Sequence, residues 1–300
     1  MFDFIGDIHG HANKLKSLLE KLGYKMQGGV YQHPTRKAFF LGDLIDSGPQ
    51  IQDVLNVVIP MVENGAAKIV MGNHEFNFLS YHTPHPEKKG FLRSNDSDHE
   101  KQCIETLKQV KGTDKDNLLN FIRQIPLWHE DEKFQAIHAC WDEQSVNSFK
   151  SLKTFTHDKK LNEELLIESN QKDSDAYNLI EILLKGIEVK NLPKELHFTD
   201  SYGKVRDTAR VCWWNEDRKI IIPPKDINPD IVEKFKGEIK VPNVYVTKPT
   251  FFGHYWETGT PRIVNPRAVC LDYSVAKKGS LCAYRFDGED ELTSDKLIHV

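Results

Sequence analysis

The sequence predicts an α/β fold, because strand-like and helix-like patterns alternate along the first quarter of the chain. Three short apolar runs each end at or beside a glycine, which is typical of buried strands that lead into a turn. The segments between these runs carry leucine, isoleucine or valine at helical spacing, so they predict amphipathic helices. Strand, turn and helix repeated in this order indicate parallel strands joined by helical crossovers.

The early part of the chain supplies the first strands and helices. The strands are expected at residues 2–5, 38–41 and 67–71. The helices between them are expected at residues 13–22 and 51–62. Both helices end close to a glycine, which commonly caps a helix C-terminus.

The middle of the chain is richer in charge. Helical patterns around residues 96–124 and 158–186 are polar, and a short apolar run at 134–137 predicts a fourth strand. We expect the two helical segments to cover or flank the sheet. The prediction is therefore a single domain over residues 1–300.

Three strand-like runs follow near the end of the chain. They lie at residues 243–247 continuing into 251–252, at 268–273 and at 280–286. No helical pattern separates these runs. The sheet is therefore expected to be antiparallel at this end.

Composition limits the class of protein. Apolar residues make up 39% and charged residues 28% of the 300-residue chain, and no apolar run approaches the roughly 20 residues of a membrane helix. The net charge of −4 disfavours nucleic acid and anionic membranes as partners. Five cysteines without CxxC spacing, and a first segment without the regions of a secretory signal, predict a cytoplasmic protein with free thiols.

Potential metal ligands follow the predicted strands. They are Asp7 and His9 after the first strand, Asp43 and Asp46 after the second, Asn73 and His74 after the third, His138 after the fourth, and His254 after a late strand. Ligands of α/β sheets bind at the carboxyl ends of the strands. Carboxylate oxygen and imidazole suit hard or borderline divalent cations. The pattern therefore predicts a metal site at one edge of the core.

The motifs GDIHG, GDLIDSGP, GNHE, AIHAC and FFGHYW occur in this order along the chain. This set resembles the calcineurin-like metallophosphoesterases, in particular the phosphoprotein-phosphatase branch. Within that branch it is similar to bacterial phosphatases and to symmetrical dinucleoside tetraphosphatases. The resemblance implies a four-layer fold, in which a mixed β-sandwich core of two sheets is flanked by helices.

The resemblance also implies two divalent metal ions, expected to be Mn, with Fe, Zn or Ni as alternatives. The implied ligands are Asp7 and His9 at the first metal, Asn73 and His138 at the second, Asp43 between the two, and His254 at either. Two dications facing two carboxylates leave a positive centre. Such a centre suits a phosphate dianion and lowers the pKa of bound water.

By the same resemblance, His74 is the acid that protonates the leaving oxygen and Asp46 is the carboxylate that orients its ring. The alternative for Asp46 is to cap a helix together with Ser47. The family usually has an arginine at the position of Ser47, and this arginine grips phosphate oxygens. Arg210, or else Arg206, is expected to replace it, and the alternative for both is a surface ion pair.

The expected function is a metal-dependent phosphatase that hydrolyses phosphomonoesters, either phosphoproteins at Ser, Thr or Tyr or small phosphate esters. The implied reaction is in-line attack on phosphorus by a hydroxide that both metals share. One alternative is hydrolysis of the pyrophosphate bond of a dinucleoside polyphosphate. An alternative of another class is an inactive phosphatase-like scaffold, which is disfavoured because no ligand position is eroded.

Overall fold

The computed structural model describes residues 1–94, 96–199, 203, 205–215, 220–221 and 241–300. They divide into two compact units, residues 1–185 with 246–300 and residues 186–245. The predicted α/β class is confirmed. The single domain over residues 1–300 stays a prediction.

The helices and the early strands lie close to where the sequence places them. Within the described residues, the helices are α1 (Ala12–Lys21), α2 (Ile51–Glu63), α3 (Asn73–His82), α4 (Ser97–Gln109), α5 (Thr113–Arg123), α6 (Glu143–Lys150), α7 (Glu163–Glu168) and α8 (Asp175–Lys185). The strands are β1 (Phe2–Ile5), β2 (Lys25–Gln27), β3 (Val30–Gln32), β4 (Lys37–Phe40), β5 (Ala67–Ile69), β6 (Trp128–Glu130), β7 (Gln135–Ile137), β8 (Glu188–Val189), β9 (Phe198–Thr199), β10 (Val205–Arg206), β11 (Ala209–Val211), β12 (Ile220–Ile221), β13 (Thr250–Phe252), β14 (Ala268–Cys270), β15 (Asp272–Tyr273), β16 (Ser280–Phe286) and β17 (Leu297–His299).

The first sheet has the strand order β15-β16-β1-β4-β5, with β17 paired to β16. Strand β1 runs parallel to β4, and β4 runs parallel to β5. Helices α1 and α2 lie in the connections between these strands, as the crossover pattern predicts. The carboxyl ends of β1, β4 and β5 therefore share one edge of this sheet.

The second sheet has the order β14-β13-β7-β6 and corrects the prediction for the late strands. Strand β13 is parallel to both β14 and β7, so the antiparallel prediction is wrong here and right for β15, β16 and β17. The connection over residues 253–267 is long enough for a parallel crossover even without a helix.

The expected strand at residues 243–247 is also wrong. This segment has strand-forming residues but no strand pairing, and Tyr245 is 76% exposed. Strand preference reflects packing against a neighbouring strand, and that packing is missing here. Strand β13 begins only at Thr250.

Aromatic side chains from the two sheets meet in one core. Phe4 of β1 stacks on Phe251 of β13 with ring centroids 3.6 Å apart, and Phe39 and Phe134 belong to the same buried cluster. This packing forms the two-sheet sandwich that the resemblance implies. The unit of residues 186–245 has its own small core, which includes Leu196.

All five cysteines are free and buried, in line with the predicted absence of a disulfide framework. Among the described residues, none of the helices combines the length and the apolar character needed to cross a membrane.

Candidate metal centre

Asp43 lies where two groups of donor atoms meet. Its Oδ2 atom is 3.7 Å from Nε2 of His9 and 3.3 Å from Nε2 of His138. Two sets of side chains share this carboxylate. One set adds His9 and His74, and the other adds His138 and His254. Within each set the potential ligand atoms lie within 4.8 Å of one another. The geometry therefore fits a residue between two metal positions, and the bridging role stays a prediction.

Asn73 brings the second group together. Its Oδ1 atom lies 2.9 Å from Nε2 of His138 and 2.8 Å from Nδ1 of His254. All three side chains are buried. An amide oxygen beside two imidazole nitrogens is a donor set that divalent transition metals accept.

Asp7 lies beside the loop that carries His254. Its Oδ2 atom accepts a hydrogen bond from the backbone N–H of His254 at 3.0 Å, and it is in neither of the two sets above, so its place at the first metal stays a prediction. Its Oδ1 atom is buried and has no hydrogen-bond partner among the described residues. Burial, together with the carboxylates of Asp272 and Asp43, raises the pKa of Asp7 well above its usual range. A bound cation would compensate this crowding of buried carboxylates, so the donor set fits a metal.

The backbone that carries these residues adopts conformations that L-residues rarely use. The φ angle is 43° at His9, 49° at Asp43 and 73° at His254. Such strain persists only where the surroundings hold it, and here the N–H groups of Ile8 and His9 both donate to the carbonyl of Asp43. Gly253 is required for a related reason, because a Cβ there would lie 1.9 Å from Oδ1 of Asp7.

Glu75 is a residue of the site that the sequence analysis missed. Its carboxylate accepts the backbone N–H groups of Asp43 and Leu44 at 2.8 Å each, and the side chain is fully buried. Burial, with a contribution from Asp43, raises the pKa of Glu75 to about 7. The signal for this residue was its place as the fourth residue of GNHE, a carboxylate in the first turn of a buried helix.

His74 and Asp46 form a close pair. Nδ1 of His74 is 2.6 Å from Oδ2 of Asp46, and Nε2 of His74 is 3.8 Å from Oδ2 of Asp43. Burial alone would lower the pKa of His74, but Asp43 and the bond to Asp46 outweigh it and raise that pKa to about 9. Asp46 does not cap the helix that follows, since α2 begins at Ile51 with Gln50 before it.

The candidate arginines lie in the unit of residues 186–245. Arg206 is in β10, opposite Phe198, and Arg210 is in β11, opposite Glu188 and Ile221. The predicted metal ligands all belong to the other unit. The role of either arginine at phosphate therefore stays a prediction.

Comparison with known proteins gives a match over the first part of the chain. Residues 1–189 match the family model described as calcineurin-like phosphoesterase. The chain is 33% identical over 163 residues to the asymmetrical bis(5'-nucleosyl)-tetraphosphatase PrpE of Halalkalibacterium halodurans. The aligned region covers 51% of this chain and 63% of that protein. It is also 33% identical over 153 residues to the symmetrical bis(5'-nucleosyl)-tetraphosphatase of Buchnera aphidicola. Here the aligned region covers 49% of this chain and 47% of that protein. The chain thus spans less than two thirds of either relative.

The solved structures give the same architecture. The cold-active protein-tyrosine phosphatase of a psychrophilic Shewanella species is similar with a TM-score of 0.50 and 14% identity, over 95% of this chain and 75% of that one. At this identity the likeness shows the fold alone. It supports a two-sheet core flanked by helices.

Proposed function

The chain belongs to the calcineurin-like phosphoesterase family, as its five motifs predict, and on this premise we propose that it is a metal-dependent phosphohydrolase. The observation that carries the proposal is the position of Asp43 between two groups of donor atoms. The imidazole, carboxylate and amide donors are the kinds of ligand that a pair of Mn, Fe, Zn or Ni ions would accept.

The residues divide into two metal positions in this proposal. His9 and Asp43 would hold one ion, while Asn73, His138 and His254 would hold the other and share Asp43. Asp7 would join His9 and Asp43 at the first ion through its Oδ1 atom, which has no hydrogen-bond partner among the described residues. When bound, two such ions polarise a phosphate group and lower the pKa of water towards neutrality.

The chain itself supplies the acid. His74 presents Nε2 towards the centre, while Asp46 holds Nδ1 and fixes the plane of the ring. Water adds to phosphorus as the bond to the leaving oxygen breaks, and Nε2 of protonated His74 gives that oxygen its proton. The hydrogen bond from Nδ1 to Asp46 favours the protonated imidazole and so supports this role.

Two substrate classes compete for this site. Phosphomonoesters, either phosphoproteins or small esters, follow from the motif resemblance. Dinucleoside polyphosphates are favoured by a specific observation, since the two relatives described above are named bis(5'-nucleosyl)-tetraphosphatases. We propose the dinucleoside polyphosphate as the first substrate to test.

A metal-by-substrate panel tests the proposal. Purified protein is stripped with chelator, reloaded with Mn²⁺, Fe²⁺, Zn²⁺ or Ni²⁺, and given diadenosine tetraphosphate, p-nitrophenyl phosphate or a phosphopeptide. We expect hydrolysis only after reloading, and fastest with diadenosine tetraphosphate. Two ADP molecules would show symmetrical cleavage, whereas ATP and AMP would show asymmetrical cleavage.

An Asp43→Asn variant supplies the specificity control, with Asp142→Asn beside it. Asp142 caps α6 through its side chain, and asparagine caps a helix equally well. Activity should disappear in the first variant and remain in the second. No hydrolysis of any substrate with any of the metals would favour the inactive scaffold and reject the proposed function.

A further inference from the structure

Helix α4 contacts the loop that carries Asp46 through two polar side chains. Thr106 is fully buried and bonds to Asp46. One turn further on, Gln109 accepts the N–H of Ile51 at 2.8 Å and donates to the carbonyl of Gly48 at 2.9 Å. The middle and the end of the loop between β4 and α2 are therefore both hydrogen-bonded to helix α4.

The hydroxyl of Thr106 contacts both the backbone and the side chain of Asp46. Oγ1 of Thr106 accepts the backbone N–H of Asp46 at 3.0 Å and donates to Oδ1 of its carboxylate. Because the same oxygen contacts backbone and side chain, it fixes the side-chain rotamer of Asp46. The other carboxylate oxygen, Oδ2, is then held towards His74.

The direction of each hydrogen bond follows from the chemistry of the groups. A backbone N–H only donates, so Thr106 must accept from Asp46 with a lone pair, and its proton is free for Oδ1. A carboxylate oxygen accepts hydrogen bonds, so Nδ1 of His74 is the donor to Oδ2. With Nδ1 bonded to Asp46 in this series of hydrogen bonds, Nε2 is the nitrogen of the His74 ring that faces Asp43.

These hydrogen bonds are needed because the backbone of the loop is strained. Asp46 and Ser47 are consecutive non-glycine residues with φ angles of 65° and 64°. Non-glycine residues in this conformation are strained, and they persist only where the surrounding contacts hold them. From these observations we propose that Thr106 is a positioning residue, which fixes the orientation and the proton arrangement of the Asp46–His74 pair. The consequence for catalysis rests on the proposed function.

Kinetics with two aryl phosphates test the catalytic consequence. Phenyl phosphate has a less acidic leaving group than p-nitrophenyl phosphate, so it depends more on the proton that His74 supplies. In Thr106→Val we expect kcat for phenyl phosphate to fall about tenfold, kcat for p-nitrophenyl phosphate to change less than about threefold, and KM to stay unchanged. Thr106→Ser should restore the native ratio of the two rates.

Thr83→Val is the matched control. Its hydroxyl donates to the carbonyl of Leu79 at 2.8 Å and is buried, but it has no bond to Asp46 or His74. The control should lose stability and keep the native ratio of the two rates. If Thr106→Val behaves like this control, the residue is merely structural and the proposal is wrong.

Proton NMR of protein with ¹⁵N-labelled histidine gives a readout that needs no activity. The Nδ1–H of His74 should appear far downfield in the native protein, as expected for a short imidazole–carboxylate bond. It should shift upfield or broaden in Thr106→Val and return in Thr106→Ser, with Thr106→Ala as a second variant if valine impairs folding. An unchanged resonance in the variants that lack the hydroxyl would overturn the proposal. A native protein that shows this pattern but hydrolyses no phosphate would reject only the proposed function.

Discussion

At the scale of single residues, the candidate metal centre depends on close packing around the Asp7 carboxylate. Oδ1 of Asp7 lies so close to Gly253 that any side chain at residue 253 would collide with it. The same Asp7 accepts the N–H of His254, the next residue along the chain. The carboxylate of Asp7 is therefore held between Gly253 and the backbone N–H of His254.

We expect Gly253→Ala to displace the Asp7 carboxylate and weaken metal binding. Loss of a group that orients a ligand typically lowers metal affinity about 10- to 100-fold. The measurement is Mn²⁺ titration by calorimetry, with circular dichroism to show that the variant folds. Native affinity in a folded variant would mean that Asp7 contributes no ligand.

The role of His74 is tested by replacing it with glutamine. General acids typically contribute about 10²- to 10⁴-fold to a rate, so kcat for a substrate with a poor leaving group should fall within that range. Metal content, measured by elemental analysis, should stay at the native value. A variant with the native rate would show that another group protonates the leaving oxygen.

At the scale of secondary-structure elements, buried polar groups join strands that are distant in sequence. Asp3 of β1 is fully buried and accepts the Nε–H groups of Arg36 and Arg285 at 3.0 Å each, and the hydroxyl of Tyr24 at 3.1 Å. Arg285 lies in β16 and Arg36 directly precedes β4, so this carboxylate connects β1 with β16 and with the segment that leads into β4. The arrangement is structural and lies outside the candidate centre.

We expect Asp3→Ala to lower the free energy of unfolding by about 1.5–3 kcal/mol, because the buried guanidinium of Arg36 loses one of its two carboxylate partners and keeps only Asp287. Urea denaturation followed by circular dichroism measures the change. Asp295→Ala, at an exposed aspartate, is the control and should change stability by less than about 0.5 kcal/mol. A loss of the same small size in Asp3→Ala would show that the network contributes little.

The elements also show which features the sequence could predict. The predicted ligands Asp43 and Asn73 each follow a strand with a clear apolar pattern, so their meeting at one edge was predictable from topology. The bond from Thr106 to Asp46 joins residues 60 positions apart, and no local pattern encodes it. The parallel direction of β13 and β14 was missed because it depends on the route of an irregular crossover, which carries no periodic signal.

At the scale of the whole molecule, the donor atoms come from both sheets of the sandwich. Asp43 and Asn73 follow strands of the first sheet, whereas His138 and His254 follow strands of the second. An ion bound by all of them would join the two sheets at the same end. Metal binding should therefore stabilise the fold, and not only the site.

Ligand linkage gives the size of this effect. At a free Mn²⁺ concentration of 100 times Kd, the gain is about 2.7 kcal/mol, which corresponds to a rise in Tm of about 5 °C for a chain of this size. We expect chelation to lower Tm by this amount and added Mn²⁺ to restore it, as measured by scanning calorimetry. Asp43→Asn should lose most of the rise, because it removes the carboxylate common to both donor groups. Hydrogen exchange should show the added protection at the ends of β4, β5, β7 and β13. A Tm that does not change when Mn²⁺ is added would contradict a metal shared between the sheets.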